Sequence, residues 1–188
     1  VSGVVAKASD HFKEGARVII SPGQLPLKAV SSFEGRDSYS PEFHILGSQI
    51  QGGYAELVKV PKHWVIPVSE KYSFEEWAAC PLVSVTAYHM LVTRAALKKG
   101  ETVLVHAGGS GVGSVAIQLA KHLGARVITT VGDAAKADRA KQLGADHVIL
   151  YKNEDFAESV KKITGGEGVD LVFEHIGPEV WQKSLISL

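Results

Sequence analysis

Four of the six residues in Gly108-Gly-Ser-Gly-Val-Gly113 are glycines, and they stand between an apolar run ending at His106 and a helix-forming stretch. Glycine permits a tight turn and lets the main chain approach a ligand closely, while the free N–H groups at a helix N-terminus attract an anion. Strand, glycine turn and helix in succession are what a pyrophosphate-binding dinucleotide site requires. Set on the pattern G-x-G-x-x-G, Gly108 and Gly113 take the first and last glycine positions and Ser110 stands at the middle one. The candidate contacts are Gly108, Gly109, Ser110, Gly111, Val112 and Gly113. A flexible turn without a ligand is the competing reading of the same glycines.

Cofactor choice is read at the end of the next strand, where an acidic side chain would hydrogen-bond the adenosine ribose of NAD. Val131 and Gly132 stand there instead, with Asp133 next. Lys136 lies one helical turn further on, within reach of a 2′-phosphate, and Tyr151 follows the third strand of the series, placed to stack or hydrogen-bond in the same region. These residues favour NADPH over NADH, and Asp133 is the one that argues the other way. A solvated lysine and a surface tyrosine are the alternatives for Lys136 and Tyr151.

The elements that must position these groups alternate regularly. The pattern predicts strand 102–106, helix 112–123, strand 126–131, helix 134–143, strand 147–150, helix 155–163 and strand 170–174. Such alternation predicts an α/β fold: a doubly wound parallel sheet of Rossmann type, covered on both faces. Upstream, Ser73 and Glu76 have the spacing of a capping box, and a second apolar segment runs from Val83 to Leu97, closed by Gly100. Residues 1–75 read as a separate β-rich unit with strands over 16–20, 54–60 and 64–68, and residues 76–188 as the nucleotide-binding unit. The stretch from Gly23 to Gly47 is too long for a simple hairpin connection.

Composition narrows the classes. The 188 residues are 45% hydrophobic and 21% charged, ordinary for a globular protein, and twenty basic residues balance twenty acidic ones. That balance offers no electrostatic case for a nucleic-acid partner. No run nears the roughly eighteen apolar residues of a membrane span, so no membrane partner is expected. Cys80 is the only cysteine, which excludes an intrachain disulfide and an all-cysteine zinc site and makes a cytoplasmic setting the default. The eight histidines show no compact ligand spacing. The chain opens at Val1 and its one methionine is Met90, so it reads as a piece of a longer polypeptide.

Four stretches together resemble the medium-chain dehydrogenase/reductase family: 52–61 (GGYAELVKVP), 79–91 (ACPLVSVTAYHML), 106–121 (HAGGSGVGSVAIQLAK) and 143–148 (LGADHV). The resemblance implies the back of a GroES-like catalytic domain followed by a Rossmann domain incomplete at its C-terminal end, a small-molecule substrate, and a homo-oligomer for the full-length protein. It places Thr86 beside the nicotinamide, His175 and Ile176 in the turn that flanks the cofactor ribose, and Lys136 and Tyr151 at the 2′-phosphate.

The metal positions of the zinc enzymes in this family are not kept. Their structural lobe, C-x2-C-x2-C-x7-C, falls on Pro26, Ala29, Ser32 and Ser40, none of which offers a thiolate. The later catalytic ligand falls on Leu82; Cys80 is two residues out of register and reads as a small buried apolar side chain. The remaining catalytic-zinc ligands would lie before Val1. The long loop then reads as a relic of the zinc lobe. The resemblance is thus to the zinc-free branch of quinone oxidoreductases and zeta-crystallins, and implies NADPH-dependent hydride transfer to a quinone or activated alkene. A zinc alcohol dehydrogenase with a degenerate lobe and a non-catalytic NADPH-binding module are the alternatives. No residue here is identified as catalytic.

Overall fold

The structure, a computed structural model, describes residues 1–26 and 37–188. Ala29 and Ser32 lie outside the described residues. Two units are distinguished, Val1–Leu82 and Val83–Leu188.

In the first unit β1 (Ser2–Val4) pairs antiparallel with β2 (Arg17–Ile20). The long loop is closed at its base by a two-residue ribbon of β3 (Gly23–Gln24) and β4 (His44–Ile45). On the other edge of β2 lies β5 (Val65–Pro67). The expected strand over 54–60 is absent. Tyr54 is fully exposed and Leu57 74% exposed, Val58 and Val60 are only half-buried, and no described strand pairs with this stretch. Apolar residues at strand spacing form a strand only where a neighbour takes up their backbone groups and covers one face.

The next element is α1 (Phe74–Tyr88). The capping box is formed: Ser73 N–H donates to Glu76 Oε2 at 2.8 Å and Glu76 N–H donates to Ser73 Oγ at 3.1 Å. The two apolar segments are one helix, running through Pro81. Pro81 removes a single N–H, while the capping box holds the first turn and buried Ala87 anchors the last. A π-helical stretch, His89–Arg94, continues it. The end comes at Ala96 in the left-handed region (φ 50°), with Leu97 N–H returning to Leu91 O at 2.9 Å, before Gly100 is reached. Cys80 is exposed, a correction to the buried side chain expected, because its helix buries only Ala87.

The alternating region folds as its pattern predicts. β6 (Thr102–Val105), α2 (Gly111–His122), β7 (Arg126–Val131), α3 (Ala134–Gln142), β8 (His147–Leu150), α4 (Phe156–Ile163) and β9 (Leu171–Phe173) follow in order. A further helix, α5 (Pro178–Ile186), was not expected; Gly177-Pro178, with proline at its first position, is the signal that marks it. The four strands are parallel in the order β8–β7–β6–β9. Successive residues face opposite sides. Val103, Val105, Val127 and Val131 pack with Ala116, Ile117, Ala137 and Ala140 of α2 and α3. Leu104, Ile128 and Ile149 pack with Phe156 and Val160 of α4. The parity sends Thr129 toward α2, and Thr130 and His106 toward α4 and α5. No helix of the described residues is long and apolar enough to cross a membrane.

Candidate functional site

The glycine turn joins the C-terminal end of β6 to α2, and each glycine is fixed by what a side chain there would strike. A Cβ on Gly113 would lie 2.2 Å from Ala107 O, and one on Gly108 2.2 Å from Thr129 Oγ1. Gly109 lies against the Lys136 stem, its Cβ position 2.8 Å from Lys136 Cδ, and Gly111 against Val83 of α1 at 3.2 Å. Ser110, at the expected middle glycine, caps α2 instead: its Oγ accepts from Gly113 N–H at 3.0 Å. The backbone needs no glycine there because Ser110 is in the extended region, φ −84°. Ala107 is the residue with the left-handed conformation, φ 50°.

The turn's amides divide into two sets. Ala107 N–H donates to Thr130 Oγ1 at 3.2 Å and Gly108 N–H to Thr130 O at 2.9 Å. The N–H groups of Gly109, Gly111 and Val112 have no acceptor among the described residues. Three unused donors, two in the first turn of a twelve-residue helix and one just before its cap, form a cradle for an anion, and the positions of Gly108, Gly109 and Gly113 leave no room for side chains across it.

At the end of β7, Gly132 is bordered by Tyr151 and Lys152: its Cβ position is 3.1 Å from the Tyr151 hydroxyl and 3.5 Å from Lys152 Cε. Asp133 caps α3, accepting Lys136 N–H through Oδ1 at 2.9 Å, and its Oδ2 is 3.4 Å from Lys136 Nζ. The Lys136 N–H chiefly holds the Asp133 carboxyl below the usual carboxylate range; desolvation opposes it, and the Lys136 side chain and the Lys152 charge act in the same direction as the N–H. Asp133 is therefore engaged by its own helix. Lys152 was not singled out from the sequence; a second lysine directly after Tyr151 is the signal that could have marked it.

The other expected residues are distributed as follows. Thr86 is half-buried on α1, one turn beyond Val83. Past β9, Glu174 Oε1 accepts from Ile176 N–H and from Gly177 N–H (2.9 Å), which shapes the turn carrying His175 and Ile176. His175 is exposed, its ring edge-on to Phe173. Ile176 and Tyr151 meet across a cavity of about 320 Å³ at the carboxyl ends of the strands, whose floor includes His106 and Thr130. Thus Gly109 with Lys136, Gly132 with Tyr151, and Tyr151 with Ile176 are brought together.

His106 is buried, 2% exposed. Burial lowers its imidazole to about 4; the Glu174 charge opposes this and His175 reinforces it. Glu154, Asp155, Glu179 and Lys183 are the remaining charged groups around the cavity it borders. The folded value lies below the ordinary 6.5, so the unfolded chain takes the proton first. The stabilisation is complete above about 6.5 and is lost as pH falls toward 4. Between pH 7 and pH 5 the unfolding free energy should fall by about 2 kcal/mol more for the parent than for His106→Leu. Urea titrations of both proteins at the two pH values check this; parallel losses would refute it.

Metal donors are sparse. Ser40 is buried and its Oγ accepts from Glu42 N–H at 3.1 Å; with Pro26 it supplies no thiolate to a structural zinc. Leu82 is 58% exposed and has no donor atom. Among the described residues, no three His, Cys, Asp or Glu side chains converge.

A family model described as an alcohol dehydrogenase GroES-like domain matches residues 1–70, and one described as zinc-binding dehydrogenase matches residues 111–188. A 2-haloacrylate reductase from a Burkholderia species is 40% identical over 136 residues, covering 71% of this chain and 41% of that protein. The crystal structure of an NAD-dependent alcohol dehydrogenase superposes with a TM-score of 0.94 at 40% identity, covering 99% of this chain and 55% of that one. The Escherichia coli quinone oxidoreductase complexed with NADPH gives a TM-score of 0.73 at 34% identity, covering all of this chain and 50% of its own. The chain thus spans about half the length of these relatives.

Proposed function

The chain belongs to the medium-chain dehydrogenase/reductase superfamily, and we propose that it serves a zinc-free, NADPH-dependent reductase of quinones or activated alkenes. The observation that carries this reading is the placement of Lys136: its stem lies over Gly109 of the anion cradle, its side chain is 57% exposed, and the acid beside it is occupied as a helix cap. A lysine so placed favours a 2′-phosphate, and an acid so engaged is a weak partner for the ribose hydroxyls of NADH.

The residues present fit the dinucleotide. Gly109, Gly111 and Val112 N–H groups would hold its pyrophosphate, and Lys136 and Lys152 its 2′-phosphate. Tyr151 would lie beside the 2′-phosphate, His175 and Ile176 would flank the cofactor ribose, and Thr86 would lie toward the nicotinamide. When bound, the cofactor supplies the hydride; the chain's part is to hold, orient and exclude water. Lobe positions without thiolates and Leu82 without a donor support the zinc-free assignment. Similarity to a haloacrylate reductase and a quinone oxidoreductase supports electron-poor alkenes and quinones as the substrate class.

A zinc-dependent, NAD-linked alcohol dehydrogenase is the second reading, favoured by the close superposition on the NAD-dependent enzyme. Metal analysis of the full-length protein, with NADPH oxidation assayed against quinones, enones and aldehydes, separates the two. The proposal expects no stoichiometric zinc and turnover with a quinone or enone. Stoichiometric zinc would contradict it, and NADPH binding without oxidation by any acceptor would favour a non-catalytic module.

A further inference from the structure

His106 makes two hydrogen bonds from inside the sheet–helix core, and their directions can be read from what its partners already do. Thr130 Oγ1 accepts the Ala107 N–H at 3.2 Å, so its own hydrogen is available to His106 Nδ1, 3.1 Å away. Ser184 Oγ donates its hydrogen to Val180 O at 2.9 Å, so it accepts from His106 Nε2 at 2.9 Å. The imidazole must therefore carry its proton on Nε2 and leave Nδ1 bare. The result is one directed chain, from the Ala107 amide through Thr130, His106 and Ser184 to the Val180 carbonyl of α5. Phe156, edge-on at 4.9 Å, closes the remaining side of the ring.

The far end of this chain is the turn residue under most constraint. Ala107 is left-handed without being glycine, its carbonyl accepts from Ser110 N–H at 2.8 Å, and that same oxygen is what a Gly113 side chain would strike. The Ala107 backbone conformation therefore decides where the unused amides of Gly109, Gly111 and Val112 point. The Thr130 hydroxyl holds the N–H on the other side of the Ala107 Cα, and His106 Nδ1, by accepting the hydroxyl hydrogen, fixes the orientation in which it does so.

We infer that His106 is a positioning residue for the anion cradle: as its Nε2–H tautomer it orients the Thr130 hydroxyl, and through the Ala107 N–H that this hydroxyl accepts it holds the Ala107 conformation that presents the free amides. The inference rests on the dinucleotide-binding role proposed above and adds a residue that does not touch the ligand. Because the cradle serves the pyrophosphate, the effect falls equally on NADPH and NADH, unlike that of a 2′-phosphate contact.

The test is cofactor titration of the full-length protein and three variants, with the tautomer read by long-range ¹⁵N–¹H correlation of His106. The parent spectrum should show Nε2 protonated and Nδ1 bare. Thr130→Val should weaken NADPH and NADH alike by about tenfold, the scale of one lost buried hydrogen bond. His106→Leu should do the same. His106→Asn, which keeps an acceptor near the Nδ1 position but fills less volume, should retain most of the affinity although it packs worse. A role limited to packing predicts the reverse order for Leu and Asn. An Nδ1-protonated tautomer, or parental affinity in Thr130→Val and His106→Leu, would overturn the inference while leaving the proposed function standing. Failure of the parent to bind either dinucleotide would overturn the proposed function itself and this role with it.

Discussion

Gly113→Ala is expected to abolish useful dinucleotide binding and to cost about 3 kcal/mol of stability, the upper range for forcing extra atoms into a packed site. The added Cβ would sit 2.2 Å from Ala107 O and 2.8 Å from Ala107 C, so backbone and not a flexible side-chain end must give way. That backbone is tied down, since Ala107 O accepts from Ser110 N–H. Relief requires α2 to back away from β6 or the turn to rotate, and either movement takes the Gly111 and Val112 amides from their present aim. Losing two hydrogen bonds to a charged ligand should weaken NADPH and NADH together by at least about 100-fold. Calorimetric titration measures the affinity and urea unfolding the stability. Near-parental affinity for both cofactors would show that the cradle is not where the pyrophosphate rests.

Lys136→Ala is expected to separate the two cofactors. NADPH affinity should fall by roughly 10- to 100-fold, the scale of a charge-assisted contact, while NADH is held as before. The variant keeps the Asp133 cap, because that bond uses the residue-136 backbone N–H. It also releases Asp133 Oδ2 from the ammonium 3.4 Å away, so any change for NADH should be a slight gain. Equal losses for both cofactors would remove Lys136 from the 2′-phosphate site. Paired with Gly113→Ala, the two results distinguish a residue that reads one phosphate from a turn that holds the part both cofactors share.

The parallel sheet was legible because its strands are buried on both faces and read as continuous apolar runs between glycines and caps; 126–131 and 147–150 were bounded as the structure has them. Helix ends followed from local chemistry, as at Ser73 and Glu76. The residues 54–60 misled because alternation describes only one chain's half of a strand, and no described neighbour completes it. Two apolar segments were read where one helix, α1, runs through Pro81, because the proline removes only a single N–H.

In the site, the glycines were visible because each answers a steric demand. The roles of Ser110 as a cap, Asp133 as a cap and Lys152 as a neighbour of Gly132 depend on which atoms turn toward which. His106 was visible only as one histidine among eight. Its parity on β6 sends it into the core, but its partner Ser184 lies 78 residues away, on a helix the pattern did not reveal.

The central claim is that this glycine turn and Lys136 together hold NADPH in preference to NADH. Parallel titration of the full-length protein with the two cofactors under identical salt and pH tests it most directly. The account predicts tighter binding of NADPH by about tenfold or more, the scale of the charge-assisted Lys136 contact, with the preference lost in Lys136→Ala. Equal affinities, or tighter binding of NADH, would contradict it.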